Sequence, residues 1–555
     1  MGVPLTRRQA LAYAGLVGAT VAAPTAGWGR APARAAVRSG PGLAGFSQAG
    51  TAVPMHLELV TVTDTTATLT WYTGDPTDLD PYGRPAPVAA PGRVLLGTSP
   101  APSSWEEVAA HDPTPYHHVE LTGLTPGTRY WFRAESAGVP ALATTFDPAD
   151  LHPLRLLVTG EDLSGLDLSN LGTFTTLVPP PGAEVLRVAW FNDMHFGELI
   201  SGIVTGDLPD PVFPDGFPAG LRVDPDNPYW RITGNAAIAE AIGRGAGFLM
   251  VNGDLTNEAE PAALEEVRAS LDAFGTLGSC RRTAAGDFLV SAGDPPAYWV
   301  TRGNHDRAHQ GEGYGSGTPV EGFEGFRDTF HATFADSWAP GSATSRFTVV
   351  ADSPTTRWRF VGLDSSTDPT NTGTLPTEQL EFLEASLVAA DEPAFVLVHH
   401  PAGEENQLVG LPPAIAGVSD VEGSAAFREI LAGAGESVVG VYQGHTHRTN
   451  ATRSPLSTGP LPFYEGASTK EYPAGYSMLR LFEGGYMVNF HTCADPEARA
   501  WAEQSRAEYY GGYPYYTLGS LQDRNWTYEV DARRTTTAGG GACPADVGHY
   551  VRPRG

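Results

Sequence analysis

Apolar and polar residues alternate with a period of two from His56 to Thr73 (HLELVTVTDTTATLTWYT). This β-branched run predicts extended backbone with one face buried. Gly92 to Thr98 predicts another short strand, and Leu121 to Phe132 (LTGLTPGTRYWF) reads as strand, turn, strand. Gly172 to Leu177 can close such an all-β unit, with an insertion near residues 147 to 170. Pro179-Pro180-Pro181-Gly182 then marks a stiff boundary. From about residue 185 the pattern changes to apolar strand, polar loop, helix. Strands are expected at Val185 to Asn192, Gly247 to Val251, Ala297 to Thr301, Trp358 to Leu363, Ala394 to Val398 and Val438 to Tyr442. Helical periodicity lies between them, at Ala236 to Ile242, Ala262 to Phe274, Thr377 to Val388 and Ala425 to Ala432. Alternating β and α predicts a layered α/β domain. After about residue 496 come a helical stretch and an aromatic-rich tail to which the pattern assigns no chemistry.

Five of these strands end in polar clusters, where open α/β sheets build their sites. The clusters are Asp193-Met194-His195, Gly253-Asp254-Leu255-Thr256-Asn257, Gly303-Asn304-His305-Asp306, His399-His400-Pro401 and Gly444-His445-Thr446-His447. Each alone is a weak or moderate signal, because a lone Asp or His is more often a satisfied polar residue. Together, in this order, they are specific. Two neighbouring divalent cations need oxygen and imidazole ligands and a shared carboxylate. The pairs Asp193/His195 and His445/His447 sit two residues apart, on one side of an extended chain. Glycines before Asp254, Asn304 and His445 let the backbone turn tightly where side chains converge.

The order D-x-H, G-D-x-x-N, G-N-H-D, H-H-P, G-H-x-H resembles the calcineurin-like metallophosphoesterases over residues 185 to 450. The segment from Leu121 to Phe132 resembles the tyrosine-corner region of fibronectin type III sandwiches, which would make Trp71 and Tyr130 core residues. Purple acid phosphatases join such an N-terminal domain to a metallophosphoesterase domain. The implied fold is a layered α/β/β/α metallophosphoesterase domain over residues 183–495, preceded by an all-β fibronectin-like sandwich over 53–181 and followed by a C-terminal extension, 496–555. By the resemblance, Asp193, His195, Asp254 and His447 hold one metal. Asp254 bridges to a second held by Asn304, His399 and His445. His305 stands over the leaving group as proton donor or transition-state stabiliser, and Asn257, Asp306 and His400 support the ligands from behind. The cofactor is then two divalent ions, Zn, Mn or Fe, and the nucleophile a water acidified between them. The chain departs from purple acid phosphatases at Asn257, where they carry Tyr, and at Asp306, where they carry Glu. Both changes lean toward the bacterial phosphodiesterases of the superfamily.

Composition narrows the partners. The chain has 555 residues, enough for two or three domains, and its 41% apolar and 18% charged content is that of a soluble globular protein. The net charge of −28 and the absence of a Lys/Arg cluster disfavour a nucleic-acid polymer as partner; a small phosphate ester is the partner that the resemblance implies. Thr6-Arg7-Arg8-Gln9-Ala10-Leu11, a mildly apolar stretch and Ala33-Arg34-Ala35 resemble a twin-arginine export signal over residues 1–35. A linker (36–52) follows, and no later run is long and apolar enough to span a bilayer. An exported protein with Cys280, Cys493 and Cys543 has one disulfide open to it, Cys493 with Cys543 being the easier pairing.

Other residues carry weaker signals. The loop from Gly202 to Tyr229 could cover the site or be a surface excursion. Arg302, Arg307 and His309 could clamp a phosphate, though salt bridging is the blander reading. Asp364 reads as structural, and Ser468 to Tyr472 as pocket lining. Three functions stay open. They are cleavage of a phosphodiester (a cyclic nucleotide, a glycerophosphodiester or a cell-envelope diester), nonspecific phosphomonoester scavenging, and a non-catalytic surface binding protein. The oligomeric state is not legible.

Overall fold

The computed structural model describes residues 52–79, 85–141, 172–201, 221–222, 224–306, 323–330, 345–366, 373–402, 421–456, 459–506 and 517–538. Residues 1–51, which include the expected export signal and nearly all of the expected linker, the 147–170 insertion, Arg307, His309, Cys543 and most of the Gly202 to Tyr229 loop lie outside them.

The alternating run at its start is two strands. Val53–Val62 and Ala67–Leu79 pair antiparallel, with Thr63 to Thr66 as the turn between them. The Thr63 hydroxyl accepts the backbone N–H groups of Thr65 and Thr66, offering the chain a turn in place of continued strand. With the strands Ala90–Gly97, Glu106–Thr114, Tyr116–Leu121, Arg129–Ser136 and Gly172–Thr175 they form two antiparallel sheets. Leu59, Leu69, Trp71, Val94, Tyr130, Phe132 and Phe174 fill the space between them. The Thr125 N–H donates to the Tyr130 hydroxyl at 2.9 Å, the bond a tyrosine corner makes. Trp71 and Tyr130 are core residues, as expected.

Beyond the proline boundary the chain builds two facing sheets. In the first, Glu184–Phe191, Phe248–Asn252 and Ala297–Thr301 are parallel neighbours. In the second, Arg357–Gly362, Ala394–Leu397 and Val438–Gln443 are parallel neighbours. Strands buried on both faces read as continuous apolar runs, which is why the pattern located these six. Trp190, Met250, Trp299, Phe360, Phe395 and Tyr442 pack between the sheets. Helices Tyr229–Gly243 and Pro261–Asp272 cover the outer face of the first sheet, and Thr377–Val388 and Ser424–Ala434 that of the second. The result is four layers, α/β/β/α.

The C-terminal segment is built into this body. Asn525–Glu529 and Arg534–Thr537 are the last strands of the first sheet, and Trp526 sits in the inter-sheet core. The sandwich core also continues into the α/β body, taking in Phe482, Met487, Leu521 and Ala538. Polar ties follow the same seam. Arg524 donates to the carbonyls of Leu59 (2.8 Å) and Val60 (3.0 Å), and the Thr61 hydroxyl donates to the Phe490 carbonyl at 2.6 Å. Arg244 grips Glu120 with two bonds of 2.9 and 2.6 Å.

His117 gives the sandwich an acid sensitivity. Its ring is fully buried, stacks on Trp71 at 4.4 Å and contacts Ser136 and His111. Burial, and then the neighbouring His111, pull its pKa down from 6.5 to about 3. A base whose folded pKa is depressed stabilises the fold above its unfolded pKa, and that stability is lost as pH falls toward the folded value. Unfolding free energies from denaturant titrations between about pH 6.5 and about pH 4.5 should therefore fall more steeply for the natural chain than for His117→Phe, by on the order of 2 kcal/mol over that range. Parallel slopes would contradict the assignment.

Candidate metal centre

The strand ends of the two sheets meet at one edge, and asparagines tie them together. Asn252 donates to the carbonyls of Val398 and Tyr442 across the sheet interface, both at 3.2 Å, and Asn192 donates to the Tyr442 hydroxyl at 2.8 Å. The loops carrying Asp193 and Asp254 run side by side. The Asp193 N–H reaches the Gly253 carbonyl at 3.2 Å and the His195 N–H the Asp254 carbonyl at 3.0 Å.

At this junction the chain leaves ordinary backbone space. Asp193, His195, Asp254, His445 and His447 all have positive φ, between 47° and 70°. Each such residue costs roughly 1 kcal/mol or more, and persists only where the surroundings over-determine it. All five are ligand candidates from the sequence. The glycines serve in two ways. Gly253 supplies a left-handed turn at φ 87°. Gly303 supplies room, since a Cβ there would lie 2.1 Å from Asp254 Oδ1.

Side chains from five loops converge. Asp254 Oδ2 lies 3.2 Å from His399 Nε2 and 3.7 Å from His195 Nε2, between two groups of candidate ligands. On one side Asp193 Oδ1 is 3.4 Å from His447 Nε2. On the other, Asn304 Oδ1 is 2.9 Å from His445 Nδ1 and 3.2 Å from His399 Nε2. Ligand atoms of Asp193, His195 and His447 lie within 4.8 Å of one another, as do those of Asp193, Asp254 and His399. His305 falls within the same reach of His195 and Asp254, and His400 of His399 and His445. Both also bond elsewhere, His305 Nδ1 to the Asn257 carbonyl at 2.7 Å and His400 Nδ1 to the Ser365 hydroxyl at 2.7 Å.

The donor set fits cations. His195 Nε2 is buried without a hydrogen-bond partner while its Nδ1 meets Asn257 Oδ1 at 3.3 Å, so the orphaned nitrogen is the one aimed at Asp254. His399 likewise gives Nδ1 to the Asn252 carbonyl at 2.8 Å and turns Nε2 inward. Asp193 and Asp254 are buried, at 0% and 1% exposure, which demands compensating positive charge. Protons supply it when no ion is bound. Burial opposes charge on His399 and His447, yet Asp254 raises the first to about 9 and Asp193 with Glu471 the second to about 10. Burial also disfavours the Asp254 carboxylate, but His399 and then His305 hold it well below the usual carboxylate range.

The flanking residues bond to the ligands and to the loops that carry them. Asn257 steers His305 with its backbone carbonyl and spends its side chain on His195. Asp306 is fully buried and accepts the N–H groups of Leu255, Thr256 and Gly303 at 2.8 to 3.1 Å, fastening the Asp254 loop to the His305 loop. Burial and the adjacent Asp254 push its carboxyl up to about 7. Arg302 is spent on Asp364 at 3.1 Å, a buried ion pair rather than a phosphate clamp. Cys493 is buried in the core of the first sheet and its helices, without a disulfide among the described residues, and its expected partner Cys543 lies outside them. Sequence reasoning passed over Glu198 and undervalued Lys470 and Glu471, which pack behind His447.

Loading metal must displace the protons that stand in for it. Adding Zn²⁺ or Mn²⁺ to the chelated protein near neutral pH should release about two protons per chain, and apparent affinity should climb as pH rises toward the His399 and His447 values. A pH indicator in weak buffer reads the release, and loading without it would contradict the assignment.

Residues 186–449 match the family described as calcineurin-like phosphoesterase, and residues 53–147 the purple acid phosphatase N-terminal domain. No curated protein matches the chain. Among solved structures it is similar to one titled as PhoD, with 11% identity over 80% of this chain and 88% of that one, at a TM-score of 0.35. A dimetal phosphatase from Danio rerio shares 13% identity over 56% and 98%, at 0.37. A purple acid phosphatase from yellow lupin (Lupinus luteus) seeds shares 15% over 80% and 73%, at 0.33. The chain carries a calcineurin-like metallophosphoesterase domain, that of a hydrolase acting on phosphate esters, with a His/Asp metal-binding cluster and, ahead of it, an N-terminal domain of the purple acid phosphatase type.

Proposed function

We propose that this chain is an exported phosphodiesterase working with two divalent cations held by Asp193, His195, Asp254, Asn304, His399, His445 and His447. The observation that carries the reading is the gathering of these seven side chains at one buried junction, with the Asp254 carboxylate between His399 at 3.2 Å and His195 at 3.7 Å. Cations bound there would bring Lewis-acid charge to the phosphoryl oxygens and acidify a water.

The chain's own groups do the rest. His305 is fixed twice, its backbone N–H on Asp254 Oδ1 at 2.8 Å and its Nδ1 on the Asn257 carbonyl at 2.7 Å. A carbonyl only accepts, so Nδ1 carries a proton, and in the imidazolium form Nε2 carries a second one that can pass to a departing alkoxide. Asp306 keeps the His305 and Asp254 loops in register through its three backbone bonds.

Charge supports the diester. A phosphomonoester dianion asks for more positive charge than a monoanionic diester. Yet among the described residues the basic groups flanking the motifs are engaged by carboxylates, Arg302 by Asp364, Arg448 by Glu465 and Lys470 by Glu198. The lack of a carboxylate side chain at Asn257 leans the same way. Nonspecific phosphomonoester scavenging is the second reading, favoured by the purple acid phosphatase-type N-terminal domain. Export rests on the Arg7-Arg8 motif and the Ala33-Arg34-Ala35 site. No described helix is long and apolar enough to cross a membrane.

Chelated, metal-reloaded protein should hydrolyse bis(p-nitrophenyl) phosphate faster than p-nitrophenyl phosphate. His305→Ala should cut kcat by roughly 10²- to 10⁴-fold while still binding metal, and Asp254→Ala should lose both activity and metal. A monoester preference would move the protein to the scavenging phosphatases. The export reading has its own check. Residues 1–40 fused to a reporter should carry it out of a host cytoplasm, and lysines replacing Arg7 and Arg8 should retain it inside. Export of the double-lysine fusion would remove the twin-arginine assignment.

A further inference from the structure

The imidazoles that face the centre differ in what holds them from behind. His399 and His195 turn their second nitrogens to neutral oxygens, the Asn252 carbonyl and the Asn257 amide. His447 instead presents Nδ1 to a carboxylate, with Glu471 Oε1 at 2.5 Å. A carboxylate accepts, so Nδ1 carries a proton, and Nε2, 3.4 Å from Asp193 Oδ1, is the nitrogen that can offer a lone pair to a cation once its own proton has left.

Glu471 is held as tightly as the histidine it holds. It is 1% exposed, and its second oxygen takes the Ser201 hydroxyl at 3.2 Å and lies 3.4 Å from Lys470 Nζ. Lys470 is the sole lysine of the chain, buried at 4% exposure, and it donates to both oxygens of Glu198 at 2.6 Å. Glu198 in turn accepts the Tyr229 hydroxyl. Tyr229 stacks on Trp501 at 4.0 Å, and the Trp501 indole N–H returns to the Lys470 carbonyl at 2.6 Å. The ring of contacts thus closes on itself. One ammonium faces two carboxylates here, and Glu198 already occupies it with both oxygens. The charge of Glu471 thus meets Lys470 at 3.4 Å and, more closely, His447 at 2.5 Å, with whatever positive charge sits on the imidazole or on an ion it faces.

We infer that Glu471 is a positioning residue for His447, clamped by Lys470 and Glu198, and that it sets the affinity of one metal position and not the other. This rests on the two-cation reading above. A carboxylate behind a metal-bound imidazole fixes the ring and its tautomer and makes the inward nitrogen a better donor. The position served by Asp193, His195 and His447 should depend on it. The position served by Asn304, His399 and His445 should not.

The test is equilibrium dialysis of chelated full-length protein against graded Mn²⁺ or Zn²⁺, with bound metal counted by elemental analysis. The natural chain should hold two ions. Glu471→Ala should keep one at unchanged affinity and weaken the other by about 10- to 100-fold. Glu471→Gln, which retains an acceptor but not the charge, should fall between. If Glu471→Ala fails to fold, as judged by circular dichroism, the near-isosteric Glu471→Gln carries the test. Two ions held by the folded variants as tightly as by the natural chain, or both weakened alike, would overturn the inference. Fewer than two ions on the natural chain would instead sink the two-cation reading, before any variant is compared.

Discussion

Asp193 and Asp254 lie buried in one cluster where two sheets meet, and like charges in that position demand compensation. Much of the local structure follows from this demand. Imidazoles from both sheets surround the carboxylates, a proton on His399 or His447 answers them when no ion does, and Asp254 stands where two cations can share it. The five left-handed residues are part of the same constraint. Extended or helical backbone would send these side chains along the strands, whereas positive φ turns them inward. The cross-sheet bonds of Asn252 and Asn192 keep the two edges at one separation, so ligands from different sheets remain one site.

The sandwich is joined to this body through a common core rather than a tether. Phe482, Met487, Leu521 and Ala538 pack with sandwich side chains, and Arg524 and Thr61 bond across the seam. The seam also approaches the centre. Glu58 of the sandwich accepts the Tyr472 hydroxyl at 2.5 Å, and Tyr472 follows Glu471 in the chain. The segment that braces His447 therefore packs directly against the N-terminal domain. Such an arrangement makes the sandwich a buttress of the hydrolytic domain as much as a module beside it.

What was legible in the sequence followed from periodicity and spacing. The six central strands are largely apolar because both faces are covered, and each ligand cluster follows one of them. Antiparallel partners were harder to see. Phe347–Asp352, Gly475–Phe482 and Gly485–Thr492 are as buried as the parallel strands, but no ligand motif or intervening helix flags them. The tail around Trp526 looked like a chemistry-free appendage because its partners lie in strands distant along the chain. At the site, motif order brought out the residues that face inward. It could not show Asn257 steering His305 through a carbonyl, since any residue carries one. Nor could it show Glu471 behind His447, because the contact joins positions 24 residues apart and depends on how the chain returns.

The central claim is that one buried carboxylate joins two cation positions. Anomalous diffraction from metal-loaded crystals, collected on either side of the absorption edge of the bound element, tests it most directly. The account predicts two peaks about 3.5 to 4 Å apart, with Asp254 between them, His195 and His447 on one and His399 and His445 on the other. A single peak, or two that do not share Asp254, would contradict it.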